Sequence, residues 1–217
     1  MSGTQNTNVY VDAFNLYYGS LKGTAHKWLD LRAFCQRSFP LPRNKINAIR
    51  YFTARVKARP HDPDQPKRQE IYLRALRTLP NLSIHFGHYL ESSVRMRLVT
   101  PPPGGPATVE VIKTEEKGSD VNLAAHLLMD AFRGRFEVAL VISNDSDLAE
   151  PIRLVRSELR KKVLVLMPCC NGGTPSIQLR KVASKAFLVD PVHLAASQFP
   201  DRLTDASGAT ISKPASW

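Results

Sequence analysis

SDVNLAAHLLMDAFRGRFEVALVISNDSDLAEPIRLVRSELRKKVLVLMP, residues 119–168, is the run that decides the fold. Its first part sets Val121, Ala124, Leu128 and Phe132 at helical spacing behind Ser119, a residue suited to capping a helix start. VALVIS (138–143) and VLVLMP (163–168) are short, continuous apolar runs without polar alternation, the pattern of strands buried on both faces of a parallel sheet. Between them, Asp147 to Arg160 reads as a helix. Helices alternating with buried strands predict α/β layering on a mainly parallel sheet.

Toward the N-terminus the alternation continues. VYVDAF (Val9 to Phe14) reads as a β-rich strand, Leu29 to Phe39 as a helix, and INAIRYFTARV (Ile46 to Val56) as a second strand. KRQEIYLRALRTL (67–79) offers Ile71, Ala75, Leu76 and Leu79 as a helix face, and LSIHFGHYL (82–90) reads as a strand. Residues 94–99 and 108–114 flank TPPPGGPA, whose prolines and glycines forbid helix or ladder and predict an exposed hairpin loop. Beyond the deciding run, 176–185 reads as a further helix, and the Ser, Thr, Asp and Gly content after Pro200 predicts a flexible tail, 200–217. The expectation is one domain over 1–199: three α/β/α layers on a mainly parallel sheet, with a β-hairpin around the Pro/Gly loop.

Composition bounds what such a domain does. The 217 residues carry 30 Lys plus Arg against 19 Asp plus Glu, a net +11 with a pI near 9.8. A balance that basic predicts a polyanionic partner, with nucleic acid ahead of an anionic membrane surface. Three cysteines, two of them the adjacent Cys169 and Cys170, make neither a disulfide framework nor a zinc knuckle. No run reaches the ~18 apolar residues of a membrane span, and MSGTQNTN lacks the apolar core of a signal peptide. A soluble, cytoplasmic protein is expected; the oligomeric state is left open, a homodimer included.

In an open α/β sheet, ligands bind beyond the carboxyl ends of the strands. Asp12 stands near the end of the first strand, Asp145 and Asp147 follow VALVIS directly, and Asp120 opens the helix after EEKGSD. Four acids from three separated segments are thus expected on one sheet edge. Two carboxylates ~5 Å apart repel by roughly 3 kcal/mol at an effective dielectric of ~20, so such a group holds protons or binds a cation. All-oxygen ligation suits Mg2+ or Mn2+ rather than zinc. Helix capping is the competing role for Asp120 and Asp147. For Asp12, inside an apolar strand, burial without a purpose is costly.

VDAFNLYYG, EEKGSD and SNDSDL, in this order, resemble the NYN family, bacterial members of the PIN-like nuclease superfamily, from about Val9 to Asp190. Ala13, Ser119, Asn144 and Leu148 stand where family members often have Gly, Val, Gly and Phe; no carboxylate is lost. The resemblance implies a PIN-like fold and a metal-dependent endoribonuclease acting on single-stranded or loop RNA. Asp12, Asp120 and Asp145 match the family's metal-ligating acids, with Asp147 as a fourth. Asn15 matches the polar residue of the opening motif, one helical turn beyond Asp12, with Glu116 as an outer partner. An RNA-binding module with little turnover is the alternative. A toxin role follows from superfamily analogy alone. Some similar sequences carry a pyridine-derivative hydroxylase label, for which this sequence offers neither a G-x-G-x-x-G after a strand nor an iron-binding triad.

Substrate grip is expected from the basic stretch 43–97, where twelve Lys and Arg face four acids, a net +8 of the total +11. Arg55, Lys57 and Arg59 alternate as the chain leaves the second strand, and Lys117 precedes Asp120 by three residues. Arg153, Arg156 and Arg160 form a second stripe, and Tyr17, beside Tyr18, is placed to stack on an unpaired base. His85, His88 and His126 read as ordinary histidines, outside the ligand set.

Overall fold

The structure, a computed structural model, describes residues 5–39 and 44–217. In chain order the strands are β1 (Gln5–Asp12), β2 (Asn44–Thr53), β3 (Leu82–Phe86), β4 (His88–Arg97), β5 (Thr108–Lys117), β6 (Val138–Ile142), β7 (Lys162–Met167), β8 (Lys185–Leu188), β9 (Arg202–Thr204) and β10 (Thr210–Ser212). The helices are α1 (Ala13–Leu16), α2 (Leu31–Ser38), α3 (Gln65–Leu76), α4 (Ser119–Phe132), α5 (Ala149–Ser157), α6 (Ile177–Val182) and α7 (Pro191–Ala195). Six strands form one sheet in the order β3-β2-β1-β6-β7-β8, and every pair in it is parallel.

The chain runs outward from β1 in one direction through β2 and β3, then returns to start again at β6. The switch point of the sheet therefore lies between β1 and β6, where the carboxyl ends of two strands open a crevice. The core is divided by the sheet. Val9, Val11, Leu140 and Ile142 pack with Trp28, Phe34 and Leu73 on one face. Tyr10, Ala139, Val141 and Val165 pack with Leu123, Leu127 and Ile152 on the other. All five residues of β6 are buried, as a strand covered on both faces requires.

Several elements differ from expectation for identifiable reasons. β2 stops at Thr53 rather than running to Val56, because Gln69 of α3 captures the next backbone groups: its Nε2 donates to Ala54 O at 2.8 Å and its Oε1 accepts from Val56 N at 3.0 Å. LSIHFGHYL is two strands, divided at Gly87. A Cβ there would stand 2.2 Å from Glu116 Oε1 and 2.5 Å from Lys117 O, so only glycine lets the base of the β4–β5 hairpin close. That hairpin forms around the Pro/Gly loop in register from His88↔Lys117 to Arg97↔Thr108.

The stretch after Pro200 is no flexible tail. β9 and β10 pair, Ile211 is buried, and Trp217 packs edge-on against Trp28 and Tyr72, with Arg74 bridging to Asp205 at 2.7 Å. Among the described residues, no helix is long and apolar enough to cross a membrane.

Candidate active site

Asp12 ends β1 and caps α1: its Oδ1 accepts the Asn15 backbone N–H at 2.9 Å. Its Oδ2 accepts the Ser143 hydroxyl at 2.9 Å, across the switch point from the end of β6. The same Ser143 oxygen accepts the Asp145 N–H at 3.0 Å, and Asp145 Oδ1 in turn accepts the Asp147 N–H at 3.0 Å. One hydroxyl therefore ties the first acidic segment to the second.

The third segment arrives on α4. Gly118, at φ +97°, turns the chain from β5 into the helix. Ser119 is not its cap; instead Glu116 accepts both the Ser119 N–H at 3.1 Å and the Ser119 hydroxyl at 2.6 Å. Asp120 is thus carried in the first turn, where a helix N-terminus favours negative charge, and the cap after β6 is Asp145, not Asp147.

The carboxylates sense one another. Asp12 is only 3% exposed, and burial first, then the charges of Asp120 and Asp145, push its carboxyl up to about 6, against the lowering pull of the Asn15 and Ser143 hydrogen bonds. Asp120 is also raised, by burial and by Asp145, then Glu116, with Asp147 a smaller contributor. Asp12, Asp120 and Asp145 form the centre, Glu116 stands beside Asp120, and Asp147 lies exposed at the rim. Among the described residues no three His, Cys, Asp or Glu side chains already converge on one coordination sphere. The donor set nevertheless fits a hard divalent cation: it is all carboxylate, its charges repel, and each oxygen keeps a free lone pair beside its hydrogen bond.

Asn15 reaches across the switch point with its side-chain oxygen. Its Oδ1 accepts the Asn144 N–H at 3.0 Å and is thereby used to hold the loop after β6. Asn144 bolts that loop further, donating to Thr174 O at 2.9 Å and accepting from Ser176 N at 2.8 Å. Ser143 and Asn144 are the positioning residues that sequence reasoning missed. The available signal was their place, small and polar, at the first two positions after a wholly apolar strand.

The basic residues are less free than their count implies. Of the twelve in 43–97, Arg43 lies outside the described residues, and seven make ion pairs. Arg55 meets Glu70 at 2.7 Å and lies over the Phe86 ring, and Lys57 meets Glu91. Lys117 lies 3.2 Å from Glu115. Arg59 pairs with no acid among the described residues. In the second stripe, Arg153 pairs with Glu150, and Arg156 donates to Val182 O, fastening α5 to α6. Tyr17 is half-buried, with its ring 5.2 Å from that of the exposed Tyr18. Both border a cavity beside Asp12. The rings of His126 and His85 lie against each other at a tilt of 51°, 4.2 Å between centroids.

The model of the NYN domain matches residues 6–190. The chain is 31% identical to the 6-hydroxy-3-succinoylpyridine 3-monooxygenase HspA of Pseudomonas putida, over 97% of this chain and 75% of that protein. A protein of unknown function from Vibrio parahaemolyticus shares the fold, with a TM-score of 0.52 at 17% identity, covering 88% of this chain and 96% of that one.

Proposed function

The chain belongs to the NYN domain family, and from that membership and the carboxylate cluster we propose that it hydrolyses phosphodiester bonds of single-stranded or loop RNA, with Mg2+ or Mn2+ held by Asp12, Asp120 and Asp145. The observation that carries this reading is the gathering of Asp12, Asp120 and Asp145 at the switch point, where burial first and neighbouring carboxylates second raise both Asp12 and Asp120, a penalty that a bound cation relieves. A divalent ion there supplies positive charge to the scissile phosphate and acidifies a water. The protein's part is geometric. Ser143 and the Asn15 N–H aim the two oxygens of Asp12, and Asn144 fixes the loop that presents Asp145. Asp147 and Glu116 add charge at the edge.

Arg59 and Lys117 are the cations we assign to the RNA backbone, and Tyr17 the ring we assign to an unpaired base. Arg55 and Lys57 join by exchanging their carboxylate partners for phosphates, an exchange helped by the exposure of both pairs.

The test is cleavage of an end-labelled mixed RNA in Mn2+, Mg2+ or EDTA, with Asp120→Asn and Asp145→Asn beside the wild type. The reading requires metal-dependent cleavage that both substitutions abolish. Salt-sensitive RNA binding without cleavage would replace it with a binding module. A second reading, hydroxylation of a pyridine derivative, is favoured by one observation, the 31% identity to HspA over nearly the whole chain. Turnover of such a compound by a preparation that leaves RNA intact would put it first.

A further inference from the structure

A cavity of about 80 Å3 opens next to the carboxylates, between the π-turn at 17–21, the end of β2 and α3. Ala13 and Phe14, the residues directly after Asp12, form part of its wall, and Asp12's charge reaches the Tyr51 hydroxyl lining it. Aromatic rings dominate the lining: Tyr17, Tyr18, Tyr51, Tyr72 and Trp217.

Several of its polar groups are engaged, Arg68 by Asp62 and Gln69 by the backbone of Ala54 and Val56, but two hydroxyls are not. Tyr51 and Thr53 occupy alternate positions of β2 and so point to one face of the sheet. They are 8% and 1% exposed. The Tyr51 hydroxyl makes no hydrogen bond with any described residue, and Thr53 has only a contact at 3.5 Å to Ala54 O, beyond useful range. By contrast Tyr72, deeper in the wall, already donates to Leu29 O at 2.9 Å. Two hydroxyls without a good partner in the protein, on the wall of an open cavity, stay available to a visiting polar group. Lys27, also on the lining, has no acidic partner among the described residues.

We propose that this cavity is a base subsite that admits a single-ring nucleobase, a pyrimidine, of the strand whose phosphate lies on the carboxylates. The assignment rests on the nuclease reading for the strand, and on the cavity for the ring. At about 80 Å3 the cavity is smaller than the ~150 Å3 one known to enclose benzene, so it receives a single six-membered ring through its open mouth more readily than a fused purine. The aromatic walls stack on its faces. Tyr51 and Thr53, each able to donate or accept, meet the oxygen and ring nitrogen of its pairing edge.

Trp217 reports occupancy, because it borders the cavity while Trp28 is fully buried. Uridine 5′-monophosphate, guanosine 5′-monophosphate and nicotinate are titrated in EDTA against the wild type, Tyr18→Ala and Tyr51→Phe, following tryptophan fluorescence. The uridine nucleotide should bind at least 10-fold more tightly than the guanosine nucleotide. Tyr51→Phe, which deletes one atom, should weaken it about 10-fold, as should Tyr18→Ala. Equal binding of the two nucleotides, no binding of either, an unaffected Tyr51→Phe, or tighter binding of nicotinate would each overturn the assignment. Uridine nucleotide binding by a protein that cleaves no RNA would sink the nuclease reading and leave the subsite standing.

Discussion

Asp12→Asn should make the metal-free protein more stable at neutral pH. Asp12 is buried between two acids, and its carboxyl sits at about 6 instead of 3.8. Between those values the folded protein keeps a proton that the unfolded chain releases, so stability falls as pH rises through that window. The gap of the two values corresponds to about 3 kcal/mol, lost completely above pH 6. Asparagine carries no charge to bury; its Oδ1 still accepts the Asn15 N–H, and the Ser143 hydroxyl turns to accept from its amide. For a chain of this length each kcal/mol moves Tm by ~2–4 °C, so the variant should melt roughly 6–12 °C higher at pH 7 in EDTA. The assay is thermal unfolding by circular dichroism of both proteins from pH 4 to 8. The difference should vanish near pH 4, rise to a plateau above pH 6, and shrink when saturating Mn2+ stabilises the wild type alone. A variant no more stable at pH 7, or a difference independent of pH, would refute the argument.

Ser143→Ala removes the hydroxyl shared by Asp12 and the Asp145 N–H; it should cost ~1–3 kcal/mol in thermal unfolding and slow metal-dependent cleavage ~10–100-fold. Asp130, 1% exposed, is held ionised by Arg50 and Tyr10 hydrogen bonds that outweigh its burial. Asp130→Asn leaves Arg50 without its partner and should lose ~3–5 kcal/mol in urea unfolding. The contribution of the wild-type pair, with its carboxyl below the ordinary range, should be present at neutral pH and fade as acid protonates Asp130. Gly87→Ala should lower Tm and lower cleavage together, since the added Cβ displaces Glu116; unchanged activity would show that the hairpin base does not position the site.

The parallel sheet was legible because β6 and β7 are apolar without alternation, and nothing but burial on both faces tolerates VALVI and VLVLM. Three of the four acids were legible as a group because each follows a strand end or opens a helix, positions that one sheet edge gathers. What escaped was set by single side chains and turns that no local apolar pattern records. Gln69 ends β2 by taking two of its backbone partners, which no local pattern of 44–56 reveals. The capping of α4 passed from Ser119 to Glu116 because the glycine between them takes a left-handed turn. The stretch after Pro200 looked too polar to fold, yet Ile211 and Trp217 suffice to seat it on Trp28 and Tyr72. The basic count overstated the free charge because intramolecular acids claim most of it.

The switch point also sets the order of events in synthesis. β1 pairs on one side with β2, which follows closely, but on the other with β6, whose first residue is Val138. At ~5–20 residues per second, a ribosome needs on the order of ten seconds to bring β6 out. Through that interval β1 is an open sheet edge bearing Val9 and Val11, the kind of edge that recruits foreign strands. Of the strands in this sheet, the one that carries Asp12 is therefore both the earliest made and the one that waits longest for its second neighbour. Raising translation speed or supplying a chaperone should improve soluble yield more for this chain than for a protein whose sheet is completed strand by strand.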